Sequence, residues 1–232
     1  MRAYRLSEEE VAQRGLRTAE QLGRDDPLWP GQLTMVAAVL LYFALPSALT
    51  IGPTWPLPTA ELLVLLALFT TTRRGRVIKR RREVALGLML VAAAANLAAL
   101  VLLAHYLLVG GHARGTELIG GGAIIWITNL LLFAVMYWEL DRGGPLRPTY
   151  RRHAQQAPDF LFPQMTDDRW SPPRWKPSFI DYLYVSLTNQ TAFSPTDTMP
   201  LTLRMKVLMG VQGLAAFVTV GIIIARAVNI LD

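Results

Sequence analysis

Five long apolar runs, at 33–51, 57–71, 84–109, 118–140 and 207–231, limit what this chain can fold into more than any other feature. A helix needs about 20 apolar residues to cross a bilayer's hydrocarbon core. The third, fourth and fifth runs meet that length easily. The first meets it with a kink at Pro46, and the second is short and relies on Pro56, Leu57 and Pro58 to start it. With 52% hydrophobic and 17% charged residues, the composition departs from that of a soluble domain in the same direction. The expected fold class is an all-α integral membrane protein with about five transmembrane helices.

Charge fixes an expected orientation. The net charge is +6, and the basic residues fall between the apolar runs. Arg73, Arg74, Arg76, Lys79, Arg80, Arg81 and Arg82 stand against one acid, Glu83, in the loop read at 72–83, whereas the 52–56 loop carries no charge. Lys and Arg in short loops mark the cytoplasmic side. Alternation then puts the N-terminus and residues 141–177 inside, and the 110–117 loop outside. Arg142, Arg147, Arg151, Arg152, Arg169, Arg174 and Lys176 agree independently. No aromatic-basic surface accompanies the charge, so nucleic acid is not an expected partner. The Arg/Ala-rich composition suits a bacterial inner membrane.

Four regions follow. Residues 1–30 are polar, with a capping box at Ser7 and Glu10; no cleavable signal peptide is expected there. Residues 31–140 read as a four-span bundle. Residues 141–177 form a basic loop rich in Pro and Trp. Residues 178–232 hold a short helical stretch, 178–193, and the last span. That stretch is too short and too polar to cross. Polar backbone at membrane depth survives only under protein or beside water, so a re-entrant half-helix is expected, entering from the cytoplasm and turning back at Ser194-Pro195.

The residues of this last region read Asp181-Tyr-Leu-Tyr184-Val-Ser186-Leu-Thr188-Asn-Gln-Thr191-Ala-Phe-Ser194-Pro195-Thr196-Asp197-Thr-Met-Pro200-Leu-Thr202. They resemble the pore loop of potassium-channel-type proteins, which runs Tyr-Phe-Ser-x-Thr-x-x-Thr, a Thr/Val-Gly-Tyr-Gly filter, then Asp-x-x-Pro-x-Thr. Tyr184, Ser186, Thr188, Thr191, Asp197, Pro200 and Thr202 fall on those positions, as in bacterial integral membrane proteins that carry a degenerate loop of this kind. Ser194-Pro195-Thr196 replaces the filter glycines. Glycine accepts the backbone angles a carbonyl ladder needs, and proline fixes its own. The resemblance implies a channel-like, cation-conducting homo-oligomer, usually of four copies. The lost glycines imply weak selectivity. The family's loop enters from outside, so the charge rule predicts an inverted loop like that of glutamate-receptor channels.

The pore-lining candidates are Thr188, Asn189, Gln190, Thr191, Ala192, Phe193, Ser194, Pro195, Thr196 and Asp197. The alternative is a polar plug that binds its neighbours by hydrogen bonds in a non-conducting transporter or accessory subunit. Asp181 reads as a helix cap, and Asp197 equally as a rim carboxylate or a cap. Intramembrane polar residues are functional candidates by default: Asn96, His105, Asn129, Gln212, Arg226 and Asn229. His105 reads as a titrating site or an interfacial anchor beside Tyr106. Arg226 snorkels or pairs, with Glu61 or Glu117 if the half-helix turns back, or with Glu139 if it crosses. Gly210 and Gly213 are hinge candidates or packing sites, as Gly120, Gly121, Gly122 and the Ala92–Ala95 stretch are for close helix contact. No catalytic set, phosphate loop or metal-ligand spacing occurs, and there is no cysteine. An enzyme, a cofactor and a metal are not expected. The expected partners are the bilayer, further copies of the chain and small inorganic ions.

Overall fold

The computed structural model describes residues 29–52, 55, 58–59, 62–63, 78–109, 115–144, 158–167, 169, 175–191 and 197–231. The Ser7–Glu10 cap, most of the second apolar run, Glu61, most of the basic loop and residues 192–196 lie outside them. The described chain is mostly helical: α1 (Trp29–Phe43), α2 (Ile78–Val109), α3 (Gly115–Leu140), α4 (Phe179–Thr191) and α5 (Leu203–Leu231). Two short strands, β1 (Phe160–Leu161) and β2 (Met199–Pro200), pair antiparallel.

Three helices contain stretches long and apolar enough to cross a membrane: Glu83–Leu107, Gly115–Leu140 and Leu203–Val228. They match the third, fourth and fifth runs. The first run forms a 15-residue helix only. Pro46 does not kink it: the helix stops at Phe43, and Pro46 leads into a 3-10 turn at Ser47–Leu49. Proline lacks the N–H that would continue the ladder. The basic cluster also differs from expectation. Because α2 begins at Ile78, Lys79, Arg80, Arg81 and Arg82 lie in its first turns and not in a loop.

Helix α3 is the hub. Its membrane-length window is 61% buried, against 28% for α2 and 22% for α5. Small residues let neighbours reach its backbone. Gly121 faces Leu49, and Gly122 faces Ile223 of α5 and Leu103 of α2. On α1, Gly31, Met35, Ala38 and Val39 recur at helical spacing as the buried stripe. Gly31 sits against the Trp138 indole so closely that a Cβ would collide with it. At the Leu140 end, aromatic rings close the core edge to face. Tyr137 and Phe160 lie 5.3 Å apart, Phe162 and Tyr182 5.5 Å, and Trp138 and Phe179 5.4 Å.

Because α4 and α5 pack on α3, they belong to the same bundle as α2 and α3. Helix α5 runs antiparallel to α3. Arg204 reaches the Leu140 carbonyl at one end, and Ile223 meets Gly122 toward the other.

Candidate functional site

Helix α4 starts on a local signal. Ser178 donates both its backbone N–H (2.7 Å) and its hydroxyl (2.8 Å) to Asp181 Oδ2. Asp181 is therefore a cap, as expected, and its charge suits the positive end of the helix. From there α4 runs along α3 toward its middle. The Tyr182 hydroxyl donates to Asp141 (2.6 Å), Ser186 Oγ to the Leu130 carbonyl (2.7 Å), and Gln190 Nε2 to the Trp126 carbonyl (2.7 Å). Thirteen residues span about 20 Å, short of a core of about 30 Å. The helix stops near the middle of α3. After residues 192–196 the chain is back where it began. Met199 and Pro200 pair with Leu161 and Phe160, and Leu201 N–H donates to the Asp159 carbonyl (2.7 Å).

One side chain holds the buried face of α4. Gln212 of α5, fully buried, donates from Nε2 to Ser186 Oγ (2.7 Å), the Ser186 carbonyl (3.1 Å) and Gln190 Oε1 (3.2 Å). Its Oε1 accepts from the Tyr137 hydroxyl (2.6 Å) and Asn189 Nδ2 (2.9 Å). Asn129 Nδ2 donates to Gln190 Oε1 (3.1 Å) and to the Gln212 carbonyl (3.3 Å), and Asn189 also reaches the Met209 carbonyl. Asn129, Asn189, Gln190 and Gln212 thus form one interhelical network. Within this chain Asn189 and Gln190 face α3 and α5.

The outer face of α4 is different. Ile180, Tyr184, Leu187 and Thr191 are exposed, at helical spacing. The Thr188 and Thr191 hydroxyls bond back to the Tyr184 and Leu187 carbonyls, 2.8 and 2.9 Å away. Asp197 is exposed just before β2. Ala192, Phe193, Ser194, Pro195 and Thr196 lie outside the described residues.

At the Leu140 end an ionic clamp joins the parts. Asp159, almost wholly buried, accepts from Thr202 Oγ1 (2.7 Å) and Arg204 Nε (2.8 Å), with the Arg204 Nη2 group on its second oxygen. The Asp159 N–H donates to Asp141 Oδ1 (2.7 Å). Burial raises the Asp159 pKa, but the Arg204 and Thr202 hydrogen bonds and the Arg204 charge outweigh it and hold the carboxyl below its ordinary value. The turn that places Asp141 needs Gly144, whose φ of 87° suits glycine and whose missing Cβ would crowd the Glu139 carbonyl.

The other candidates scatter. Asn96 is buried between α2, α3 and α5. His105 is exposed and lies edge-on to Tyr106 at 6.0 Å. Arg226 is half-buried at the far end from Glu139, the end of α3 that carries Glu117, yet no ion pair joins it to Glu117, and its Nε has no partner. Asn229 lies in the last turns of α5. Gly210 faces open space, whereas Gly213 faces the Asn189 carbonyl. Among the described residues no three His, Asp or Glu side chains are grouped to hold a metal.

Sequence reasoning missed Tyr137, Ser186, Asp141, Asp159 and Arg204 as parts of the site. A signal was available for two of them, because Asp141 and Asp159 are acids within a strongly basic stretch. Chemically, the arrangement presents the carboxyl end of a helix opposite the middle of α3. The last carbonyls of a helix have no partners within it and carry partial negative charge. No basic residue sits in the last turn of α4 to offset that charge. No family model, no curated protein and no solved structure matches this chain.

Proposed function

We propose that the chain is a channel-like, pore-forming membrane protein that conducts cations with weak selectivity, in which α4 is a re-entrant half-helix. The observation that carries this reading is the path of the chain. The half-helix runs from the Leu140 end to mid-depth, and the strand that follows it returns to the same end. A half-helix whose carboxyl end stops there favours a cation at that level. The exposed positions Thr191 and Asp197 flank residues 192–196, so the pathway follows the outer side of α4, while Asn189 and Gln190 act as anchors. One half-helix per chain encloses no pore, so several copies surround the axis, four by resemblance to potassium-channel-type proteins. The weak selectivity follows from Ser194-Pro195-Thr196 standing where filter glycines would be.

A second reading, a non-conducting protein plugged by α4, is favoured by the network around Gln212, which consumes the amides of the half-helix inside one chain. Flux from reconstituted liposomes separates the two. The channel reading expects potassium and sodium to leave at similar rates, with Asp197→Asn slowing both. A monomeric protein that passes neither ion overturns it in favour of the plug. A strongly potassium-selective flux overturns the argument from the missing glycines.

A further inference from the structure

Helices α2, α3 and α5 do not close on one another at mid-depth. They leave a cavity of about 250 Å³. Ala93, Ala94 and Ala215 line it with side chains too short to fill it, so part of the alanine stretch leaves a void where close helix contact was expected. Leu97 of α2 and Val211 of α5, both in its wall, are also exposed. No charged residue lines it.

One wall residue does not fit an apolar void. Asn96 is 9% exposed, lines the cavity, and no hydrogen bond joins its amide to another described residue. A buried amide without a partner costs on the order of 1–3 kcal/mol, and in hydrocarbon no water arrives to satisfy it. Trp126 Nε1 and Thr128 Oγ1 of α3 also lack a partner, but neither residue lines the cavity, whereas Asn96 does, so Asn96 marks a place in its wall where a partner is to be supplied.

We propose that this cavity binds a small neutral amphiphile, with one hydroxyl or carbonyl group on the Asn96 amide and an apolar body against the alanines. The volume takes roughly eight heavy atoms at about 30 Å³ each. A charged ligand would meet no counter-charge on the wall. A lipid tail would fill the space and leave Asn96 unmet. Water would satisfy Asn96, but cavities with such apolar walls stay dry. The occupant also touches Asn129, whose amide bonds Gln190 and Gln212, so it sits against the network that holds α4.

The test uses the full chain in phosphatidylcholine vesicles and a diazirine-bearing octanol as photoprobe, with adducts mapped by mass spectrometry. Saturable adducts are expected within residues 90–97 and 211–219, displaced by octanol and not by octane. Asn96→Leu, which removes the amide at nearly constant volume, is expected to lower labelling about three- to tenfold. Ala215→Phe, which fills the void, is expected to abolish it, with the thermal midpoint of each variant showing that it is folded. Absence of saturable labelling in the parent overturns the proposal. So does equal displacement by octane, which makes the occupant a lipid tail, or undiminished labelling of a folded Asn96→Leu protein. None of these measurements reads conduction, so the channel reading stands or falls separately.

Discussion

Helix α5 carries an arginine near each end, and the bundle treats the two in opposite ways. Arg204 is locked to a buried carboxylate, which in turn holds the β-ribbon and, through Asp141, the first turn of α4. Arg226, 22 residues on, has a buried Nε without a partner and no acid within ion-pair distance among the described residues. At the Leu140 end of α3 aromatic rings fill the core, whereas toward its other end aliphatic side chains, Leu49 and Ile223, pack on Gly121 and Gly122. The difference teaches where the structure is fixed by specific polar bonds. They sit at the half-helix end, where a polar segment has to be kept inside a membrane protein.

Breaking the clamp is the strongest way to challenge that contrast. Arg204→Leu leaves the buried Asp159 carboxylate without its cation, and is expected to cost about 1–3 kcal/mol. The lower part of that range applies because the Arg204 guanidinium is half exposed and the Thr202 hydroxyl and Arg142 N–H remain on the carboxylate. Adding Asp159→Asn is expected to restore much of the loss, and a double-mutant cycle on thermal unfolding in detergent measures the coupling. Strictly additive losses would mean the clamp is decorative.

Gln212→Leu comes next. It removes the partner of Ser186, Asn189, Gln190 and Tyr137 together, yet bonds of this kind inside membrane proteins are individually modest, so about 1–2 kcal/mol is expected. The informative readout is protease or hydrogen-exchange protection of residues 179–191, which is expected to fall before that of α3. If both segments lose protection together, the network does not specifically hold α4.

Acid is expected to reproduce part of the Arg204 effect. The folded Asp159 carboxyl titrates below its unfolded value, so its contribution is complete above an unfolded pKa of about 4 and is lost as pH falls toward and through the lower folded value. A stability profile between pH 6 and 3 is expected to slope downward in the parent and less steeply in Asp159→Asn. Identical slopes would remove Asp159 from the account.

The smallest effect is expected at the other end. Arg226→Leu is predicted to change the unfolding free energy by about 0.5 kcal/mol or less, because no ion pair with a described residue is broken. A loss as large as that of Arg204→Leu, relieved by Glu117→Gln, would show a partnership there and erase the contrast.

How much of this was legible in the sequence depended on the range of the signal. The spans at α2, α3 and α5 were, because length and hydropathy are local. So was α4, from its apolar and polar spacing between Ser178 and Thr191, and the Asp181 cap, three residues from its partner. The clamp was not. Asp159 meets Thr202 and Arg204 across 43 and 45 residues, and nothing in a proline-rich basic loop announces such a closure. The opposite faces of α4 were also hidden. Asn189 and Gln190 next to Thr191 look like one polar lining, yet consecutive helix positions point in different directions, and only Gln212 reveals which are spoken for. At the first run, Pro46 was visible, but its consequence depended on tertiary context that ended the helix at Phe43.

The position of Gln212 and Arg204 on the last helix has a bearing on biosynthesis. A chain made from its N-terminus has finished α4 before either residue exists, so a ribosome stalled between 191 and 204 holds a half-helix with Asn189 and Gln190 lacking their α5 partners, and no cation for Asp159. Domains and spans generally settle in order of synthesis. Here the settling of one segment must wait for the next, and the insertion machinery has to shelter α4 during that interval. Loss of α5 would therefore do more than shorten the protein by one span. It would leave an orphaned polar segment for quality control to find.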